Sequence, residues 1–320
     1  MKKKMTLFFG LSNLVRITTN IFGDNMATFR PTSFEDVVGQ KDSVNRLKIF
    51  THSSKVNGNT MPHVLIDGPP GLGKTTLASA IANEIDCDLI TTNAASIRSV
   101  KNMTRYLLNI GANTVLFIDE IHRLPKIVEE FLYPVMEDFK ATIVMDSEPE
   151  EIDIPKFTLV GATTSCGSLS QPFLDRFVVK EHLNFYDVDD LAKLARLNLE
   201  KMELKVSDND LVEIAKRSKG TPRILNARLE WFKSYKTFYP EESDIDLIFN
   251  VQGIDEKGMD ENDRRYLDIL KKNIGNPVGI KSISGMTGIA MDTIENSIEP
   301  YMVRQGFIIR TQKGRILGKI

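Results

Sequence analysis

Residues 63–76 read HVLIDGPPGLGKTT. A short apolar run stops at three glycines and two prolines, and a helical pattern, TTLASAIANEI, begins at once. Gly68, Gly73, Lys74 and Thr75 satisfy the spacing G-x-x-x-x-G-K-[ST]. Glycines let successive backbone N–H groups point inward at one anion. The helix that follows turns its positive end toward the same anion. At this spacing a lysine at position 74 reaches the β- and γ-phosphates of a nucleotide, and the Thr75 hydroxyl offers a ligand to Mg²⁺. A strand before and a helix after are the context the motif requires, so a glycine-rich turn without a ligand is the weaker reading.

Two further apolar runs, VLFI (115–118) and FTLVG (157–161), read as buried parallel strands like HVLID. Helical stripes such as KIVEEFLYPVMEDF lie between them. This alternation predicts an α/β domain, a parallel sheet with helices on both faces. The second run ends in Asp119 and Glu120, at the carboxyl edge of the sheet where such folds bind ligands. Asp119 is the candidate to hold Mg²⁺ through water, and Glu120 to orient and activate an attacking water. Phosphoryl transfer also needs positive charge on the developing transition state. Arg176 in FLDRF and Arg223 in GTPRI are the candidates, although a lone arginine is more often a solvated surface residue. His122, in DEIHRL, reads as structural and is given no chemistry.

Beyond Arg176 the pattern changes. Three helical segments, DVDDLAKLARLNLEKMEL, SDNDLVEIAKRSKG and TPRILNARLEWFKSY, follow without strands and predict a small all-α domain. From Gly258 onward ENDRRYLDILKKN, PVGIKSISGMTG and MDTIENSIEPYMVRQG read as three helices, and FIIRTQKGRILG as a two-stranded wing. The expected organisation is an extension over 1–28, a sheet domain over 29–182, a helical lid over 183–255 and a winged helix over 256–320. From residue 300 onward there are five basic residues, Arg304, Arg310, Lys313, Arg315 and Lys319, and no acidic one. Such a stripe suits electrostatic binding to nucleic-acid phosphates, or is simply a solvated tail.

The chain of 320 residues has a formal net charge of −2, so any basic surface is local. Cys87 and Cys166 make no metal spacing and read as reduced thiols of a cytoplasmic protein. No apolar run approaches the roughly 20 residues that span a bilayer. The opening MKKKMTLFFGLSNLV mimics a signal peptide, but Asn13 and Arg16 interrupt it, and a weakly ordered extension is the stronger reading.

FRPTSFEDVVGQ, HVLIDGPPGLGKTTLA, VLFIDEIHRL, LYPVMEDF, FTLVGATT, LDRF, LNFY, KGTPRI, DENDRRYL, NPVG and IEPYMVRQGFIIRT occur in this order. Together they resemble the RuvB family of AAA+ P-loop ATPases over roughly residues 29–316, a pattern that begins at Phe29 and makes Met26 a candidate start. The resemblance implies ATP and Mg²⁺ as cofactors. It implies a hexameric ring around duplex DNA that drives Holliday junction branch migration in recombination and repair. It implies recruitment by a RuvA-like partner through a β-hairpin over 140–156. By the same resemblance Phe29 and Arg30 would contact the adenine side of ATP. Gly71, Gly73, Lys74, Thr75 and Thr76 would hold the phosphates and Mg²⁺, with Asp119 and Glu120 as the Walker B pair. Thr163 would be the polar sensor, and Arg176 the arginine finger acting on a neighbouring subunit's ATP. Tyr186 and Arg223 would contact nucleotide from the lid side. Arg310 and Arg315 would touch DNA phosphates.

Three stretches depart from the family's pattern. GATTSCG stands where the family has GATTRAG, and FLDRFV where it has LRDRFG. The segment between Phe139 and Phe157 is shorter and acidic at its tip, although Ile143, Val144 and Met145 keep an apolar edge. Two other readings stand beside the motor. One is a clamp-loader-like AAA+ ATPase, which the winged helix argues against. The other is a nucleotide-dependent DNA-binding module with little turnover, which the intact Lys74, Glu120 and Arg176 argue against.

Overall fold

The computed structural model describes residues 31–145 and 148–318. Phe29, Arg30, Lys319 and the extension over 1–28 lie outside the described residues, as do the side chains of Val144 and Met145. Among the described residues seven strands precede the lid: β1 (Val64–Asp67), β2 (Asp88–Asn93), β3 (Thr114–Asp119), β4 (Lys140–Met145), β5 (Glu148–Asp153), β6 (Thr158–Thr163) and β7 (Val179–His182). β4 and β5 pair antiparallel as a separate hairpin. The others form one parallel sheet in the order β2-β3-β6-β1-β7. β1, β3 and β6 lie inside the sheet with both faces covered, so each is an unbroken apolar run. The edges differ. β2 (DLITTN) buries only Thr92 and β7 (VKEH) alternates buried and exposed side chains, so neither stands out as a strand in the sequence.

Helices α1 (Lys41–Asn57) and α2 (Lys74–Glu84) cover one face of the sheet. Helices α3 (Val100–Leu107), α4 (Lys126–Glu137) and α5 (Gln171–Leu174) cover the other. The lid is made of α6 (Val188–Lys201), α7 (Asp208–Lys216), α8 (Pro222–Phe238) and α9 (Ile245–Val251). Asp187 and Ser207 cap the first two through the backbone N–H groups of Asp190 and Asp210. α9, capped by Asp244, is a fourth lid helix beyond the three expected, too short to show a helical period. Leu191, Ile214, Leu225 and Phe249 of the lid share one core with Leu77 and Ile81 of α2.

The last unit comprises α10 (Glu261–Lys272), α11 (Ile280–Thr287), α12 (Met291–Thr293), α13 (Glu299–Arg304) and the wing strands β8 (Ile308–Thr311) and β9 (Gly314–Leu317). The expected single helix over 291–306 is interrupted. A π-helical turn over Ile294–Ile298 separates α12 from α13. Pro300 explains it: proline has no N–H, and its ring collides with the carbonyl four residues back unless the turn widens. The unit docks against the lid through charge. Lys219 pairs with Asp263, both buried, and Asp263 also completes the capping box of α10. The Arg304 guanidinium lies 4.8 Å over the Phe185 ring and rests on Gly220, where a Cβ would strike it at 2.2 Å.

His63 joins three elements. Its Nδ1 accepts from the Leu159 N–H of β6 at 2.9 Å, which leaves the proton on Nε2 to be donated to the Met136 carbonyl of α4 at 3.0 Å. Burial pushes its pKa down to about 4. The ordinary value is about 6.5, so the unfolded chain takes up a proton between pH 6.5 and 4 that the folded chain refuses. Stability is therefore lost as pH falls through that window, by about 2 kcal/mol between pH 6.5 and 5. Urea unfolding should show a shallower loss over this interval for His63→Gln; parallel losses would remove His63 as the source.

Candidate functional site

The loop between β1 and α2 needs backbone that only glycine supplies cheaply. Gly68, Gly71 and Gly73 have φ of 141°, 82° and 99°. Two of them are also pressed from outside. A Cβ on Gly68 would lie 2.7 Å from the Leu183 carbonyl oxygen, and one on Gly71 would lie 2.8 Å from Cβ of Arg223. The Arg223 N–H donates to the Gly71 carbonyl at 3.3 Å, so the first turn of α8 sits directly on the loop. Gly73 is the N-cap of α2, and the helix begins at Lys74 with Thr75 and Thr76 in its first turn.

Lys74 is buried, and its Nζ donates to the loop's own carbonyls, Gly68 at 2.7 Å and Pro69 at 3.0 Å. Burial pushes its pKa below the ordinary value, against the pull of Glu120 and Asp119. Burial and then the Glu120 charge push the Asp119 carboxyl up. The site thus crowds two carboxylates beside a desolvated ammonium, and added positive charge at Asp119 would relieve the crowding. The hydroxyl of Thr75 and the carboxylate of Asp119 are hard oxygen donors of the kind Mg²⁺ takes, few enough that most of its shell is left to water and phosphate. No cluster of three or more His, Cys, Asp or Glu fit to hold a metal occurs among the described residues.

Glu120 has φ of 49°, which turns it off the end of β3. The Thr164 hydroxyl donates to its Oε2 at 3.0 Å, and His122 Nδ1 stands 3.3 Å from the same oxygen. Thr163 is fully buried at the end of β6; its hydroxyl is 2.9 Å from His122 Nδ1 and accepts from the Ser165 N–H at 3.0 Å. The predicted sensor therefore reaches Glu120 through His122, whereas its neighbour Thr164 reaches it directly. His122, given no chemistry from sequence, stands inside this network.

Tyr186 is buried against the loop, with its hydroxyl 3.5 Å from the Leu72 carbonyl and its pKa pushed up to about 12 by burial. Its ring lies so close to Gly39 that a Cβ there would meet it at 2.6 Å. Gln40 clamps the chain just before it, donating to the Asn184 carbonyl at 2.6 Å and accepting from the Asn184 N–H at 3.2 Å. Sequence reasoning missed Gly39 and Gln40 as site residues. The signal was the Gly39–Gln40 pair of VVGQ immediately ahead of a helix.

Gly71, Gly73, Lys74, Thr75, Thr76, Asp119, Glu120, Thr163, Tyr186 and Arg223 thus gather around one loop at the carboxyl edge of the sheet. Arg176 does not join them. Its guanidinium stacks 4.1 Å over Tyr133 and pairs with Glu137, both on α4. Arg310 and Arg315 sit on the wing, where both bind the fully buried Glu299 at 2.6 and 2.7 Å, and Arg315 also pairs with Glu295. Lys313, between them, is exposed. Among the described residues no helix is long and apolar enough to cross a membrane.

Three family models match in succession. The Holliday junction DNA helicase RuvB P-loop domain matches residues 29–183, the RuvB AAA lid domain 186–251 and the RuvB C-terminal winged helix domain 256–320. The chain is 41% identical over 316 residues to the Holliday junction branch migration complex subunit RuvB of Campylobacter hominis, covering 96% of this chain and 93% of the relative. The corresponding subunit of Rhodopirellula baltica is 38% identical over 302 residues, covering 92% and 82%. A structure of the Thermotoga maritima RuvB Holliday junction branch migration motor superposes with a TM-score of 0.83 at 37% identity, covering 91% of this chain and 96% of that one. A P-loop sheet domain, a helical lid and a winged helix, each matched in order, leave one conclusion: the chain belongs to the RuvB family of AAA+ ATPases.

Proposed function

We propose that this chain binds Mg·ATP at the loop after β1 and works as a hexameric ring on duplex DNA, driving branch migration of Holliday junctions in recombination and repair. The observation that carries the reading is the intact hydrolytic set, Lys74, Asp119 and Glu120 with Thr164 and His122, in a chain whose RuvB likeness runs through all three units.

In this reading phosphate oxygens replace the Gly68 and Pro69 carbonyls as acceptors for Lys74. Thr75 and Asp119 would hold Mg²⁺, which supplies neutralisation of charge on the transferring phosphoryl group. Glu120, steadied by the Thr164 hydroxyl, orients the attacking water. Tyr186, Arg223 and, outside the described residues, Phe29 and Arg30 hold the nucleotide from the lid and adenine sides. The bonds from α8 to Gly71 and from the Tyr186 N–H to the Gly220 carbonyl, 2.9 Å, give the lid a direct grip on the loop. A change in what the loop holds thereby becomes a change in lid angle, which the docked winged helix follows. Arg176, held against α4, acts on the ATP of a neighbouring subunit. The β4–β5 hairpin is the docking element for a RuvA-like partner, with Ile143 packed on the chain's own core and exposed Glu148, Glu150 and Glu151 on the strand opposite.

The deciding experiment is ATP hydrolysis without DNA, with linear duplex and with a four-way junction, each with and without a RuvA protein. Stimulation by DNA and ATP-dependent junction dissociation with RuvA are expected; hydrolysis indifferent to every DNA would reject the motor. Glu120→Gln should bind ATP with near-normal affinity and lose at least about 100-fold in turnover. Normal turnover in that variant would end the role given to Glu120.

Arg310 and Arg315 are proposed to meet DNA phosphates from the wing, with Lys313 beside them. Because the two arginines also neutralise Glu299, their loss costs stability as well as binding. Lys313→Ala avoids that cost. Each lost phosphate contact should lower the slope of log K against log salt by about 1. An unchanged slope in Lys313→Ala and in the double Arg310→Ala/Arg315→Ala variant, with melting checked, would remove the wing from the DNA interface.

A further inference from the structure

The Arg176 side chain is only 18% exposed. Nη1 donates to the Pro172 carbonyl at 2.5 Å, Nη2 stands 3.1 Å from Glu137 Oε2, and the guanidinium lies over the Tyr133 ring. Nε is buried with no acceptor among the described residues.

The two holders are unlike. Tyr133 is itself fixed. Its hydroxyl is 3.3 Å from Glu129 Oε1 and 3.0 Å from the Ser170 Oγ, and Glu129 is buried and bound by Ser170 as well. Ser170 is the N-cap of α5, the turn of helix that ends just before Arg176. One hydrogen-bonded cluster thus ties the aromatic platform to the segment that carries the arginine. Glu137 is different: its side chain is 55% exposed and meets Arg176 through a single ion pair. Half-exposed pairs are weakly held because water competes for both charges. A phosphate offers a guanidinium the same oxygen geometry with more charge.

We infer that Tyr133 and Glu137 are positioning residues for Arg176 with opposite effects on hydrolysis. Tyr133 is the platform that keeps the guanidinium plane aligned. Glu137 is a competing acceptor that a neighbour's nucleotide must displace before Arg176 can act. The inference rests on the proposed role of Arg176 as a finger acting between subunits.

Single-turnover ATP hydrolysis by the full-length protein assembled on duplex DNA tests it. Arg176→Ala should lose hydrolysis and regain part of it in mixed assemblies with unaltered subunits. Glu137→Gln should speed the chemical step about two- to fivefold, the amount a half-exposed pair can withhold. Tyr133→Leu should slow it about tenfold through loss of the cation–π platform, and Tyr133→Phe should restore most of the rate. Both effects should vanish when combined with Arg176→Ala, as a shared pathway requires. If Arg176→Ala is impaired but Glu137→Gln is slowed or unchanged, or if its effect persists without Arg176, the positioning roles fall and the finger stands. If Arg176→Ala hydrolyses normally, the finger falls and the positioning roles fall with it. Glu137 lies at the exposed end of α4, so its variant tests the proposal even if Tyr133→Leu does not fold.

Discussion

The lid helix α8 rests on Gly71 so closely that no side chain fits between them. Much of the architecture follows from that contact. A phosphate loop alone is a local device, a turn of glycines ahead of a helix. Here the turn is gripped on one side by Leu183, where the sheet ends, and on the other by Arg223, where α8 begins. The lid core is continuous with the core around α2, so the grip is backed by packing. The winged helix in turn leans on the lid at Lys219 and Gly220, within three residues of the Pro222 that starts α8. Loop, lid and wing-bearing unit form an unbroken series of contacts.

The residues that were legible in the sequence are those with a chemical signature at fixed spacing. The loop, the Asp119–Glu120 pair and the buried strands β1, β3 and β6 could be read because burial on both faces demands uninterrupted apolar runs. The edge strands could not, since exposure leaves β2 and β7 with polar side chains. Thr164 and His122 were obscured for another reason. Their role at Glu120 depends on β3 and β6 ending side by side and on the αL backbone that turns Glu120 off β3. The wing shows the limit of counting charge along a chain. Five basic residues without an acid looked like an open stripe, but Arg310 and Arg315 fold back onto Glu299, just upstream of the counted stretch. Arg304 turns to Phe185.

The departures from the family's pattern fall where the fold can absorb them. Ser165 keeps its backbone bond to Thr163, and its hydroxyl is 2.7 Å from Ser168, so the turn after β6 is held without the usual basic residue. Leu174 packs against the core beneath α4 and α5, while Val178, next to Phe177, is exposed. The cluster of Glu129, Tyr133 and Ser170 around Arg176 is untouched by these changes.

Among the described residues the strand β7 is the last of its sheet, and open edges recruit strands from other molecules. This one carries a deterrent. Glu181 points inward and is buried, and Arg46 of α1 neutralises it through hydrogen bonds at 2.6, 2.9 and 3.2 Å, while Lys180 and His182 face outward. A foreign strand laid along this edge would have to shield that ion pair from water and crowd two further polar side chains. Edge-to-edge pairing along β7 is thereby disfavoured.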